Sequence, residues 1–145
     1  MRTLIVIAWL ALPVAAGAQE KQIIQMPGTS LGLPFSTAVR VGNMIYLSGQ
    51  VGVPPGSRQV VAGGVGPETR QTLENIRRVL EHAGSSMDRV VKCTVFLRDI
   101  ADYAAMNEVY ASFFPKDPPA RSTVAGSGLA LGARVEIECM ALAGA

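Results

Sequence analysis

Arg121 and Glu136 are the two residues of this chain best equipped for chemistry. Both fall in strand-like runs near its C-terminal end: Arg121 opens "RSTVA" just after Pro118-Pro119, and Glu136 lies within "RVEIECMAL". A guanidinium offers a planar pair of donors that grips a carboxylate at two points. A glutamate beside the bound molecule can hold and activate a water. Together they suit hydrolysis of a small carboxylate-bearing substrate with neither metal nor covalent intermediate. Each also has a plainer reading, Arg121 as a solvated or internally ion-paired cation and Glu136 as a solvent-facing strand residue. The residues alone leave these open.

Other chemistries find less support. The single histidine, His82, sits on the charged face of a helical pattern, and no Ser-His-Asp arrangement can be assembled around it. Gly63-Gly64-Val65-Gly66 lacks the Gly-Lys-Ser/Thr ending of a phosphate loop and reads as a flexible connection. Cys93 and Cys139 form no C-x-x-C pair, and with one histidine they make no metal-ligand set, so neither a metal nor a cofactor is expected. An oxidising compartment would permit a disulfide. Both cysteines fall at alternating apolar strand positions, however, and are expected as buried free thiols. Tyr103, Tyr110 and Phe113 recur at helical spacing and are expected in the core.

The elements that must position these residues follow from pattern. Thr37–Val41, Gly42-Asn43 and Met44–Ser48 read as a β-hairpin with a two-residue turn. Residues 51–66 read as loop, with a short edge strand at Gln59–Ala62. A helix is predicted over Pro67–Ala83, ended by Gly84, with Leu73, Ile76, Leu80 and Ala83 on its apolar face. "VVKCTVFLR" at 90–98 alternates, placing Val91, Cys93, Val95 and Leu97 on one side. Asp99 can cap a second helix with Tyr103, Met106, Val109, Tyr110 and Phe113 inward. Arg121–Ala125 and Arg134–Leu142 complete the strands. The order predicts an α+β domain, a single mixed sheet with two helices on one face. In the last strand Glu136, Glu138, Met140 and Leu142 make the second face half polar and half apolar, which suits subunit contact.

The chain's first residues read as a leader. Arg2 precedes the apolar run Leu4–Leu12, and Ala16-Gly17-Ala18 supplies small residues for cleavage. A signal peptide is therefore expected over 1–18 and one domain over 19–145, with a periplasmic destination and no membrane attachment after cleavage. Arg2 is the one charged residue before Gln19, so residues 19–145 carry 12 basic and 11 acidic side chains and a formal charge of +1. No basic run appears, so nucleic acid is not an expected partner.

Four stretches in this order and spacing, "GNMIYLSGQVG" (42–52), "VVKCTVFLRDIADYAAMNEVY" (90–110), "PPARSTV" (118–124) and "VEIE" (135–138), resemble the Rid family of reactive intermediate deaminases, also called the YjgF type. The resemblance spans about Pro34 to Leu142. It implies a YjgF/chorismate-mutase-like fold, a homotrimer with pockets between subunits, and hydrolysis of small 2-imino and 2-enamino acids to 2-keto acids and ammonia without a cofactor. It places the carboxylate-binding arginine on Arg121 and the water-positioning glutamate on Glu136. Substrate-binding positions fall on Phe35, Ser48, Gly49, Asn107 and Thr123, with Phe35 standing where the family commonly has tyrosine. An alternative with the same fold is a non-catalytic periplasmic binder of small carboxylates, or a moonlighting protein.

Overall fold

The computed structural model describes residues 20–28 and 32–144; the expected leader over 1–18 lies outside the described residues. Strands β1 (Lys21–Ile24), β2 (Ala38–Val41), β3 (Met44–Leu47) and β4 (Gln50–Val51) precede helix α1 (Val65–His82). Strand β5 (Val90–Leu97), helix α2 (Tyr103–Phe113), β6 (Ala120–Ala125) and β7 (Val135–Leu142) follow. The strands form one sheet in the order β1-β2-β3-β7-β5-β6, with β4 also paired to β7. The β5/β6 pair is parallel and the others are antiparallel. This is the expected α+β arrangement, and α1 packs against both α2 and β7.

Local chemistry explains the boundaries. The β2–β3 hairpin turns at Gly42, whose φ of 57° is easy only without a β-carbon. Helix α1 starts two residues before Pro67, because Gly63 and Gly64 take φ of 108° and 90° and turn the chain directly into it. The Asp99 carboxylate accepts from the Ala101 amide and starts a short 3₁₀ turn that leads into α2. The strand expected at Gln59–Ala62 does not form; one bond from the Val61 amide to the Gly52 carbonyl holds that loop instead. Strand β1 was not expected, since four residues, mostly exposed, give too short an alternation to read.

Leu73, Ile76 and Leu80 of α1 are fully buried against Val95, Leu97, Val135 and Ile137. Burying each such side chain contributes about 1.5–3 kcal/mol. The expected inward set of β5 is corrected at one position. A register shift between Val90 and Lys92 puts Val90 in the core and leaves Val91 40% exposed. The cysteines are also corrected. Cys93 and Cys139 are register partners on the neighbouring strands β5 and β7, and they form a disulfide. Alternation along each strand gave their burial, but not the pairing that sets them opposite one another.

A polar junction fixes where β7 begins. Arg134 donates from Nε and Nη2 to the two oxygens of Asp102, at 2.9 and 2.6 Å. Its backbone amide donates to Glu68 Oε2 at 2.7 Å. Both carboxylates are buried. They tie α1, the turn before α2 and the start of β7 together, two residues upstream of Glu136. Among the described residues no helix is long and apolar enough to cross a membrane.

Candidate active site

Arg121 is the second residue of β6, the edge strand beside β5. Its parallel register partner is the buried Cys93, so its side chain leaves the sheet on the helix face. There it meets α2. Nη2 donates to the Tyr103 hydroxyl at 3.1 Å, and the guanidinium carbon lies 4.7 Å from the Tyr110 ring centroid and 5.6 Å from that of Tyr103. Among the described residues no carboxylate is within ion-pairing distance of it. A cleft of about 420 Å³ opens here between Arg121, Asn107, Tyr110, Phe114 and the Pro118-Pro119 turn.

Two polar atoms of the cleft lining, Asn107 Oδ1 and Tyr110 Oη, are buried with no hydrogen-bond partner among the described residues, and so is Thr123 Oγ1, two residues along β6 from Arg121. A buried polar group left unpaired costs about 1–3 kcal/mol, so their grouping near an unpaired cation marks a place that a polar ligand would satisfy. The polar side chain of Asn107 first, and Arg121 second, hold the Tyr103 phenol below its ordinary pKa. Burial pushes the Tyr110 phenol up to about 12 despite the nearby guanidinium.

Glu136 is the second residue of β7, paired with Val51 of β4 and Phe96 of β5. Its side chain leaves the sheet opposite to the neighbouring Val135 and Ile137, which are fully buried beneath the helices. A β-carbon on Gly49 would collide with Glu136 Oε1, so the carboxylate rests directly on the backbone at Gly49, and any side chain there would displace it. Burial, and secondarily the charge of Glu138, raise the Glu136 pKa above its ordinary value. Ser48 lies next to Gly49, and its hydroxyl donates to the Ser36 carbonyl at 2.7 Å. That bond anchors the segment carrying Phe35, which is 56% exposed.

The seven predicted positions thus divide into two groups. Arg121, Asn107 and Thr123 gather on the helix side of β6. Glu136, Gly49, Ser48 and the Phe35 segment belong to the β4/β7 end. The spacing Tyr103, Asn107, Tyr110 puts two more polar-tipped side chains on the Arg121 side of α2. Helical periodicity alone had assigned both tyrosines to the core, and Tyr103 is 41% exposed. The legible signal was the i, i+4, i+7 stripe of hydrogen-bonding groups. Among the described residues no cluster of three or more His, Cys, Asp or Glu could hold a metal ion.

The family described as Endoribonuclease L-PSP matches residues 29–143. The 2-iminobutanoate/2-iminopropanoate deaminase of Homo sapiens is 44% identical over 111 residues, covering 77% of this chain and 81% of its own. Reactive Intermediate Deaminase A, chloroplastic, of Arabidopsis thaliana is 37% identical over 132 residues, 90% of this chain and 71% of its own. Among solved structures, the Rid-family protein YyfA of Yersinia pestis, of unknown function, matches with a TM-score of 0.80 at 37% identity. That match covers 85% of this chain and 99% of YyfA.

Proposed function

The chain belongs to the Endoribonuclease L-PSP family, the Rid or YjgF group, and from that premise we propose that it is a hydrolytic deaminase of small reactive 2-imino and 2-enamino acids. The observation that carries this reading is Arg121, a guanidinium stacked on tyrosine and unpaired with any carboxylate of the described chain, facing a cleft with unsatisfied polar atoms. The human relative that bears the name 2-iminobutanoate/2-iminopropanoate deaminase supports the substrate class. The family description names a ribonuclease, but a formal net charge of +2 without a clustered basic run offers little grip on a polyanion.

In the proposed reaction Arg121 binds the substrate carboxylate through two parallel N–H donors. An enamine first takes a proton at C3 to become the imine. Glu136 holds a water and accepts its proton as the water oxygen bonds to C2. The C=N electron pair goes to nitrogen, which takes up a proton to complete the carbinolamine; Glu136 returns its proton to that nitrogen, and the C–N bond breaks as the hydroxyl loses its proton and becomes the C2 carbonyl, leaving ammonia and a 2-keto acid. Asn107, Thr123, Ser48 and the Gly49 backbone orient the imine, and Phe35 forms an apolar wall.

One chain cannot perform this sequence, because its two halves lie on opposite faces of the sheet. We therefore assign the working unit to a homotrimer in which Arg121 of one subunit meets Glu136 of the next. An apolar row across the face without helices supports this. Ile23, Val39, Tyr46 and Met140 follow one another in register, and Ile23, Tyr46 and Met140 are 54%, 43% and 38% exposed. Such a row is what subunit contact would cover. The leader over 1–18 is assigned to export into the periplasm, and the intact mass of exported protein tests where it is cut.

The deciding experiment is turnover of freshly generated 2-iminopropanoate. Wild type should release ammonia faster than the spontaneous rate, and Glu136→Gln should not. A wild type no faster than the spontaneous rate would leave a carboxylate-binding protein rather than an enzyme, and a Glu136→Gln protein as fast as an active wild type would remove Glu136 from the mechanism.

A further inference from the structure

We propose that Tyr103 is a positioning residue for Arg121: its hydroxyl sets the rotation of the guanidinium so that one donor edge is presented to a ligand carboxylate. The inference rests on the deaminase reading for the identity of that carboxylate. Its geometry is independent of it.

A guanidinium has five N–H donors in one plane, and a two-point grip works only when the correct edge faces the carboxylate. Here the plane has two supports. The Tyr110 ring packs 4.7 Å from the guanidinium carbon, which limits tilt but leaves rotation within the plane free. The Tyr103 hydroxyl removes that freedom by accepting from Nη2 at 3.1 Å. The Tyr103 hydroxyl and the Tyr110 ring thus fix Arg121 from two sides. Tyr103 is 41% exposed and lies outside the buried set of α2, which is Met106, Tyr110 and Phe113. Packing does not account for its hydroxyl, whereas the bond to Arg121 does.

The arrangement also states what Tyr103 does not do. One Nη2 hydrogen is committed to the phenol and the other donors stay available, so the phenol and a bidentate carboxylate are bound together rather than in competition. Removing the hydroxyl should weaken ligand binding and leave the chemical step alone.

The test is a double-mutant cycle on binding of 2-oxobutanoate, a non-reactive 2-keto acid, joined to steady-state kinetics with the corresponding imine. Tyr103→Phe keeps the ring and should weaken 2-oxobutanoate binding about three- to tenfold, the effect of one net hydrogen bond, with KM raised to match and kcat near wild type. Arg121→Lys replaces the fork with a point charge that has no plane to orient. In that background Tyr103→Phe should change binding less than about twofold, the non-additivity that marks two residues acting as one. Wild-type affinity in Tyr103→Phe overturns the inference, and so does an equal loss in both backgrounds, which would mean that Tyr103 acts other than through Arg121. A wild type that neither binds 2-oxobutanoate nor turns over imine overturns the deaminase reading and this inference with it, a pattern distinct from either single failure.

Discussion

Arg121 and Glu136 leave opposite faces of the same sheet. Their register partners on the shared strand β5 are Cys93 and Phe96, an odd number of residues apart, and pleating sends such residues to opposite sides. Two strand spacings across and three residues along separate their Cα atoms by roughly 14 Å. A small acid cannot touch both within one subunit.

Subunit mixing tests the shared site directly. Arg121→Ala and Glu136→Gln should each be nearly inactive alone. Unfolded together and reassembled at equal ratio into closed rings, they should recover about a quarter of wild-type sites, since each site then draws its two residues from different copies. Assembly size by light scattering accompanies the assay. No recovery in properly reassembled trimers, or an active monomer, would sink the arrangement.

Arg121 variants should fail in a graded way. Arg121→Lys retains charge but makes a single-point contact, and kcat/KM should fall about tenfold to a hundredfold, the scale of a charge-assisted hydrogen bond. Arg121→Ala should fall further and lose 2-keto acid binding. Both should fold, because the side chain contributes no ion pair to the described structure. Circular dichroism separates lost binding from lost structure.

Much of this was legible in the sequence, and the gaps have physical causes. The hairpin, both helices and strands β5 to β7 follow from alternation, helical period and turn residues. The β5 bulge did not, because one extra residue leaves the hydrophobic pattern almost intact while moving Val91 outward. The Cys93–Cys139 bond and the separation of Arg121 from Glu136 share a cause. Both depend on which strands are neighbours, β7 beside β5 and β5 beside β6, and long-range pairing is not written in any local period. Tyr103 was hidden for a different reason: helical spacing reports the side of a helix, not whether the polar tip of a ring has found a partner.

The acid limb of the pH profile should report Glu136. Its pKa is raised, chiefly by burial and secondarily by Glu138. Holding and activating water requires the ionised form, so kcat/KM should decline as pH falls, and the decline should begin above the range of an ordinary glutamate. Glu138→Gln removes the minor cause and should move the limb slightly downward. The linkage has the opposite sign for stability. A carboxyl whose folded pKa exceeds its unfolded value favours the folded state in its protonated form, and that advantage is lost as pH rises through the folded pKa. Glu136→Gln should therefore be at least as stable as wild type at pH 7 while being less active. Thermal melts beside the pH–rate profile decide this, and a limb that Glu136→Gln leaves in place would assign it to another group.

The disulfide makes the last prediction, and it concerns stability more than catalysis. Cys93 and Cys139 join β5 to β7 across 46 residues of chain, and their residues are 0% and 2% exposed. Closing a loop of that length restricts the unfolded chain by about 4 kcal/mol on the chain-entropy estimate. Denatured, unreduced protein should therefore take up no alkylating label, and prior reduction should add two. In the native state the bond should resist mild reductant, because the sulfurs are buried. The Cys93→Ala/Cys139→Ala protein should melt roughly 10 °C lower, yet retain activity at temperatures where it stays folded, since neither cysteine faces the cleft beside Arg121. Two labels on unreduced protein would return both residues to free thiols. Equal melting temperatures for the reduced and oxidised forms would show that the bond is present but contributes nothing to the fold.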